Sequence, residues 1–231
     1  MFNGAAPFSH RSINWINQLH TDTIFCFKKG NLQETMETNP PIKIPYNSPM
    51  IRSLLQQELT NLLSHALPHQ PIIVICIGTD RSTGDSLGPL VGSSLAKYRS
   101  SFMHVYGTIA EPVHALNLAD TLDSIKKQHT HPFIIGIDAC LGQASSVGCI
   151  QAGHGPVRPG AGVNKELPPV GDMHITGIVN VGGFMEYFVL QNTRLHLVMS
   201  MSDIISQCIY YATSKHVRTM NSEQPRSTGI H

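Results

Sequence analysis

Residues 72–89 read Ile72-Ile73-Val74-Ile75-Cys76-Ile77-Gly78-Thr79-Asp80-Arg81-Ser82-Thr83-Gly84-Asp85-Ser86-Leu87-Gly88-Pro89. The first six are apolar and mostly β-branched. An alternating pattern would leave one face of a strand wet; an unbroken run predicts a central parallel strand covered on both faces. The glycine-containing loop behind it leads into a helix expected from Pro89 to Tyr98, a strand–loop–helix unit of an α/β sheet.

Working outward, Ser48-Pro49 has the form of an N-cap with proline at the first helical position. The helix behind it sets Leu54, Leu55, Leu59, Leu62 and Leu63 on one stripe. Beyond the loop, Met103–Tyr106 reads as a second strand, His114–Lys127 as a helix, and Phe133–Ile137 as a buried strand that delivers Asp138. Val147–Gln151 is a weaker strand. Residues 153–172 are crowded with Gly and Pro, a long loop of the kind that carries function. Ile175–Leu190 is expected as a helix, Arg194–Met199 as a strand and Asp203–Ala212 as a closing helix. The sum is a three-layer α/β/α domain over 48–212 with a mainly parallel sheet of about five strands, an edge strand of opposite direction being admitted. Residues 1–47, ending in a proline-rich run, read as an extension, and 213–231 as a polar tail.

Bulk properties narrow the function. The chain has 231 residues and is 41% apolar, enough for one sizeable core. Its 16 Lys and Arg against 15 Asp and Glu give no basic excess, which argues against a nucleic-acid partner. The five cysteines form no CxxC pair, so a reducing cytoplasm is expected. No stretch is long and apolar enough for a membrane span, and the first thirty residues lack the order of a signal peptide.

Three chemistries compete for Gly78–Pro89. A phosphate-binding loop needs a lysine after its second glycine, where Asp85 stands and would repel phosphate. Gly84-Asp85-Ser86-Leu87-Gly88 fits the G-x-S-x-G of serine esterases, yet Ser86 lies well beyond the strand end where a nucleophile elbow belongs. The third is an acidic site centred on Asp85. In open α/β sheets ligands bind beyond the carboxyl ends of the strands, and Asp85 and Asp138 both follow such ends. Alone, either aspartate is as readily a helix cap or a turn former as a functional group.

The resemblance that weighs most is to the germination proteases of spore-formers, and closest to the small sporulation proteins of the YyaC family. Those proteases carry a strand, a glycine, a short loop and Thr-Pro-Asp-Ala-Leu-Gly-Pro. Thr83-Gly84-Asp85-Ser86-Leu87-Gly88-Pro89 is similar, with Gly84 in place of proline and Thr79 in place of an asparagine. Ile134-Ile135-Gly136-Ile137-Asp138-Ala139 resembles a second block, and Pro159-Gly160-Ala161-Gly162-Val163-Asn164-Lys165 a third, one glycine shorter. The resemblance implies a phosphorylase/hydrolase-like fold shared with the hydrogenase-maturation proteases. It also implies catalytic aspartates at Asp85 and Asp138, and a substrate-contacting loop set of Thr83, Gly84, Gly88, Gly160, Gly162, Asn164 and Lys165. A peptidase of a spore protein in the forespore or spore core is the expectation, with a protein or peptide as partner, homo-oligomerisation left open and no cofactor required. The alternative is a non-catalytic sporulation protein that binds a peptide or a divalent metal.

Close carboxylates cannot both ionise cheaply, so one stays protonated while the other serves as base. The metal version draws on Met173-His174-Ile175-Thr176-Gly177, which resembles the His-x-x-Gly block of hydrogenase-maturation enzymes; His174 would join Asp85 and Asp138 around a divalent ion. His174 is also one of 13 histidines, and a structural role is the plainer reading.

Overall fold

The computed structural model describes residues 40–160 and 167–222. In chain order its elements are β1 (Ile42–Pro45), α1 (Ile51–Leu63), β2 (Ile72–Cys76), α2 (Leu87–Ala96), β3 (Met103–Tyr106), α3 (Leu118–Gln128), β4 (Phe133–Gly142), β5 (Cys149–His154), β6 (Met173–Val181), α4 (Glu186–Gln191) and α5 (Leu195–Ser222). The strands form one sheet in the order β1-β5-β6-β4-β2-β3. β2 pairs in parallel with β3 and β4, and β4 with β6, while β5 runs antiparallel between β1 and β6. The opposing strand is therefore second from the edge, not the edge itself.

Both faces of β2 are used, as its continuous apolar run requires. Ile72, Val74 and Cys76 join the core built with α1, α2 and α5. Ile73, Ile75 and Ile77 join a second core with Leu118, Leu122 and Ile125 of α3. This makes three layers. From β2 the chain passes to its neighbour β3, then crosses to β4 on the other side of β2. The loops leaving β2 and β4 part there and open a crevice, the usual ligand site of such sheets.

Several expected elements differ. Ile175–Leu190 is not a helix: Met173–Val181 is a strand flanked on both sides, and only Glu186–Gln191 is helical. Its β-branched residues fit a pleated, buried surface better than a helix. Gly177 allows the strand to pack closely, since a Cβ there would press on Leu87 and Met201. Arg194–Met199 is not a strand but leads into α5, whose buried Val198, Met201, Ile205, Ile209 and Ala212 keep helical spacing. That helix runs on through the supposed tail to Ser222, with Thr213 fully buried and its hydroxyl donating to the Ile209 carbonyl at 2.7 Å. At the other end, Ile42–Pro45 is an edge strand, and Ile44 belongs to the core. Residues 1–39 and 223–231 lie outside the described residues.

Ser48 does not cap α1 directly; its hydroxyl accepts from the Met50 amide at 3.3 Å, one turn ahead of the helix. Of the predicted leucine stripe, Leu54 faces solvent while Leu55, Leu59, Leu62 and Leu63 are buried. No helix among the described residues is long and apolar enough to cross a membrane. Leu59→Ala should lower stability by about 2–5 kcal/mol through the cavity it leaves, read as a lower urea midpoint with unchanged slope.

Candidate active site

The crevice is built by pressing a turn against a strand end. The Ile77 amide donates to the Ile137 carbonyl at 2.7 Å and the Gly78 amide to the Val113 carbonyl at 2.8 Å, so the end of β2 is held from both sides. Residues 79–83 loop out, and the short 3-10 turn Gly84–Ser86 leads into α2. The Thr79 amide closes the loop by donating to the Asp85 carbonyl at 3.1 Å. Gly78 has φ +139°, and a Cβ there would collide with the Asp85 carbonyl; at Gly88 a Cβ would collide with the backbone of Ile77. These two glycines let the turn reach the strand, and Asp85 is set beside it.

Asp138 does not end its strand as expected. β4 continues past it to Gly142, with a register shift at Cys140/Leu141, and Asp138 lies opposite Thr176 of β6. Asp85 and Asp138 line one cavity of about 500 Å³. Its walls include Ile109, Leu116 and Tyr187, which are 42%, 84% and 64% exposed at the mouth. Arg81, Asp80 and His114 line it as well.

Asp138 is only 7% exposed. Burial, then the negative charge of Asp85, push its carboxyl well above the ordinary range, against a smaller opposing effect of the Ala139 amide. That amide donates to Oδ1 at 2.8 Å, leaving Oδ2 for a proton. Burial also raises Asp85, but the Thr79 amide and the charge of His114 act the other way. Of the two carboxyls Asp138 is the more strongly raised, and Asp85 is the one with groups that ease its ionisation. Burial pushes the Cys140 thiol up to about 11, which disfavours its thiolate.

The other expected site residues separate. Gly160 lines the cavity. Thr83, Gly84 and Gly88 do not: the Thr83 carbonyl accepts from the Ser86 hydroxyl at 2.7 Å, Gly84 lies against Leu190 and Thr193, and Gly88 against Ile77. They shape the turn. Gly162, Asn164 and Lys165 lie outside the described residues. Ser86 is buried and turned to that carbonyl, with no strand elbow behind it. His174 is not brought to the pair. It sits in register with Gly136, two residues before Asp138, and its Nδ1 is 3.0 Å from the Gly155 carbonyl. Among the described residues no group of three His, Cys, Asp or Glu could hold a metal ion. His114 and Arg81 enter instead. His114 lies ahead of the helix expected over His114–Lys127, which begins only at Leu118; its one sequence signal is that it follows a strand's carboxyl end.

A family model described as "Protein of unknown function (DUF1256)" matches residues 43–208. The "Uncharacterized protein YyaC" of Bacillus subtilis (strain 168) is 57% identical over 154 residues, covering 65% of this chain and 75% of that protein. A solved [NiFe] hydrogenase maturation protease, HycI from Thermococcus kodakarensis KOD1, aligns with a TM-score of 0.43 and 12% identity, covering 66% of this chain and 99% of that one. A likeness that loose carries no argument about chemistry.

The raised Asp138 has a consequence for stability. Folding strengthens its hold on a proton, so between the ordinary value of 3.8 and the raised folded value the folded state binds more protons. Stability therefore falls as pH rises through that window, by up to about 1.4 kcal/mol per pH unit. Asp138→Asn, which cannot ionise, should melt above the wild type at pH 8 and lose that advantage towards pH 4. Parallel melting curves at both pH values would contradict a buried, protonated Asp138.

Proposed function

The chain belongs to the DUF1256 family, and from that footing we propose that its crevice is the active site of a peptidase that cuts a spore protein with an aspartate pair. The observation that carries this reading is the placing of Asp85 and Asp138 in one cavity, the deeper carboxyl raised partly by the charge of the other. Asp85, ionised, takes a proton from water as the water oxygen bonds to the peptide carbonyl carbon. Asp138, protonated, gives its proton to the leaving nitrogen as the C–N bond breaks. The proton then passes from Asp85 to Asp138 and restores the starting state.

The mouth supports a polypeptide as substrate. Ile109, Leu116 and Tyr187 offer apolar surface around two acids, a wall suited to an extended segment with bulky side chains. The likeness of the Asp85, Asp138 and Pro159-Gly160 blocks to germination proteases supports a substrate in the forespore or spore core. We take the reaction to need no bound ion, since His174 is turned to Gly155. Activity that is lost on chelation and restored by a divalent ion would reverse that part.

With a pool of internally quenched peptides, Asp85→Asn and Asp138→Asn should each cut turnover by about 10²-fold or more while retaining the fold. Ser86→Ala should leave hydrolysis in place. The rate should rise with pH as Asp85 ionises and fall again as Asp138 gives up its proton. If the wild type cuts nothing and both variants keep its biological role, the protein is a binding protein on this fold.

A further inference from the structure

On the face of the sheet that α3 covers, edge strand β3 and the end of α3 bring two histidines together. The alternation of β3 puts His104 and Tyr106 on that face, and Tyr106 packs against the core built with α3. His104 stands in register with Ile73 of β2. His129 follows the last turn of α3, its amide donating to the Ile125 carbonyl at 2.9 Å. The ring centroids of His104 and His129 are 4.5 Å apart, with 48° between the planes. Neither ring lines the crevice that holds Asp85 and Asp138.

A chain of hydrogen bonds fixes one of the two rings. Gln128 Nε2 donates to Ser124 Oγ at 2.9 Å, which leaves Oε1 for Tyr106. The Tyr106 hydroxyl donates to that oxygen at 3.2 Å, and its single hydrogen is used there. The phenol oxygen is 3.1 Å from His129 Nε2, where it can only accept. Nε2 therefore carries the hydrogen, and Nδ1 of the neutral ring keeps its lone pair. Among the described residues no hydrogen bond occupies that Nδ1 or either nitrogen of His104. Burial, and then the charge of His104, hold the His129 pKa below its ordinary value, so the lone pair is free near neutral pH.

Neutral imidazoles are the preferred donors of zinc, copper and nickel ions. A ligating histidine usually hands its other N–H to a neighbouring acceptor, the part that Tyr106 plays for His129. Zinc–nitrogen bonds of about 2.0–2.1 Å set two ligating nitrogens roughly 3 Å apart, within reach of rings whose centres are 4.5 Å apart. His104 is exposed and has room to turn towards a shared ion. We infer that His104 and His129 form a binding site for a divalent transition ion of the zinc kind, with His129 ligating through Nδ1 and Tyr106 holding its ring from behind. Two protein ligands leave the other positions to water, so the ion is exchangeable rather than enclosed. Magnesium, which seeks oxygen, does not suit these donors. The inference is independent of the peptidase reading and uses neither of its acids.

The rival role is structural: the same hydrogen bonds could serve only to fasten the end of α3 to β3. Zinc titration of the full chain, followed by nitrogen-15 NMR of the histidine rings, separates the two. Without metal and above neutral pH, His129 should show the Nε2–H tautomer. Zinc should shift His129 Nδ1 and one nitrogen of His104 together, and magnesium should move neither. His104→Asn and His129→Gln assign these signals, and each should weaken zinc binding by about tenfold or more. Tyr106→Phe keeps both rings but removes the acceptor, and should weaken binding by about tenfold as well. Should that variant fail to fold, His104→Asn, at an exposed position, carries the test. Zinc shifts confined to other histidines, zinc affinity unchanged in both histidine variants, or an Nδ1–H ring at His129 overturn the inference.

Discussion

A carboxyl group inside a β-sheet is the constraint around which this molecule is arranged. Asp138 stands mid-strand in β4, opposite Thr176 of β6 and one residue beyond the last pair with β2, where burial disfavours the charged carboxylate. Two responses are built into its surroundings. One oxygen accepts the amide of the next residue, and the second acid is brought in on a separate loop, where an amide and an imidazole ease its ionisation. One acid is held by the sheet and the other by a turn.

The turn depends on features that look minor in the linear sequence. Gly78 and Gly88 allow backbone to touch backbone, and Gly84 receives α4 against the turn. Gly84 and Gly88 do not line the cavity and Gly78 offers it no side chain, yet Asp85 could not reach the end of β2 with side chains at Gly78 and Gly88. The motif Thr83–Pro89 thus reads best as one functional side chain surrounded by packing requirements.

How much could be read beforehand followed the strength of local signals. The run Ile72–Ile77 announces its own burial, and Asp85 follows β2 as read, whereas Asp138 stands within β4 rather than at its end. β6 was hidden because its apolar residues and a central glycine fit no single period, and only neighbours on both sides make it a strand. The start of α5 reads as a strand for the opposite reason: a short apolar window resembles one until the helical spacing beyond Met201 is included. His114 gave less still. Its place in the cavity wall depends on Val113 being stitched to β2, a long-range contact with no local signature. His174 shows the converse, a motif histidine whose ring is taken up by the Gly155 carbonyl.

The border of the sheet formed by β1 bears on how copies of the protein meet. Pro41 and Pro45 have no N–H to offer a new strand, and Lys43 between them is exposed and charged. Such a margin resists end-on-end growth of the sheet into ribbons, a hazard for any protein at high local concentration. If the chain assembles with itself, helices or loops are better placed than this edge to form the seam.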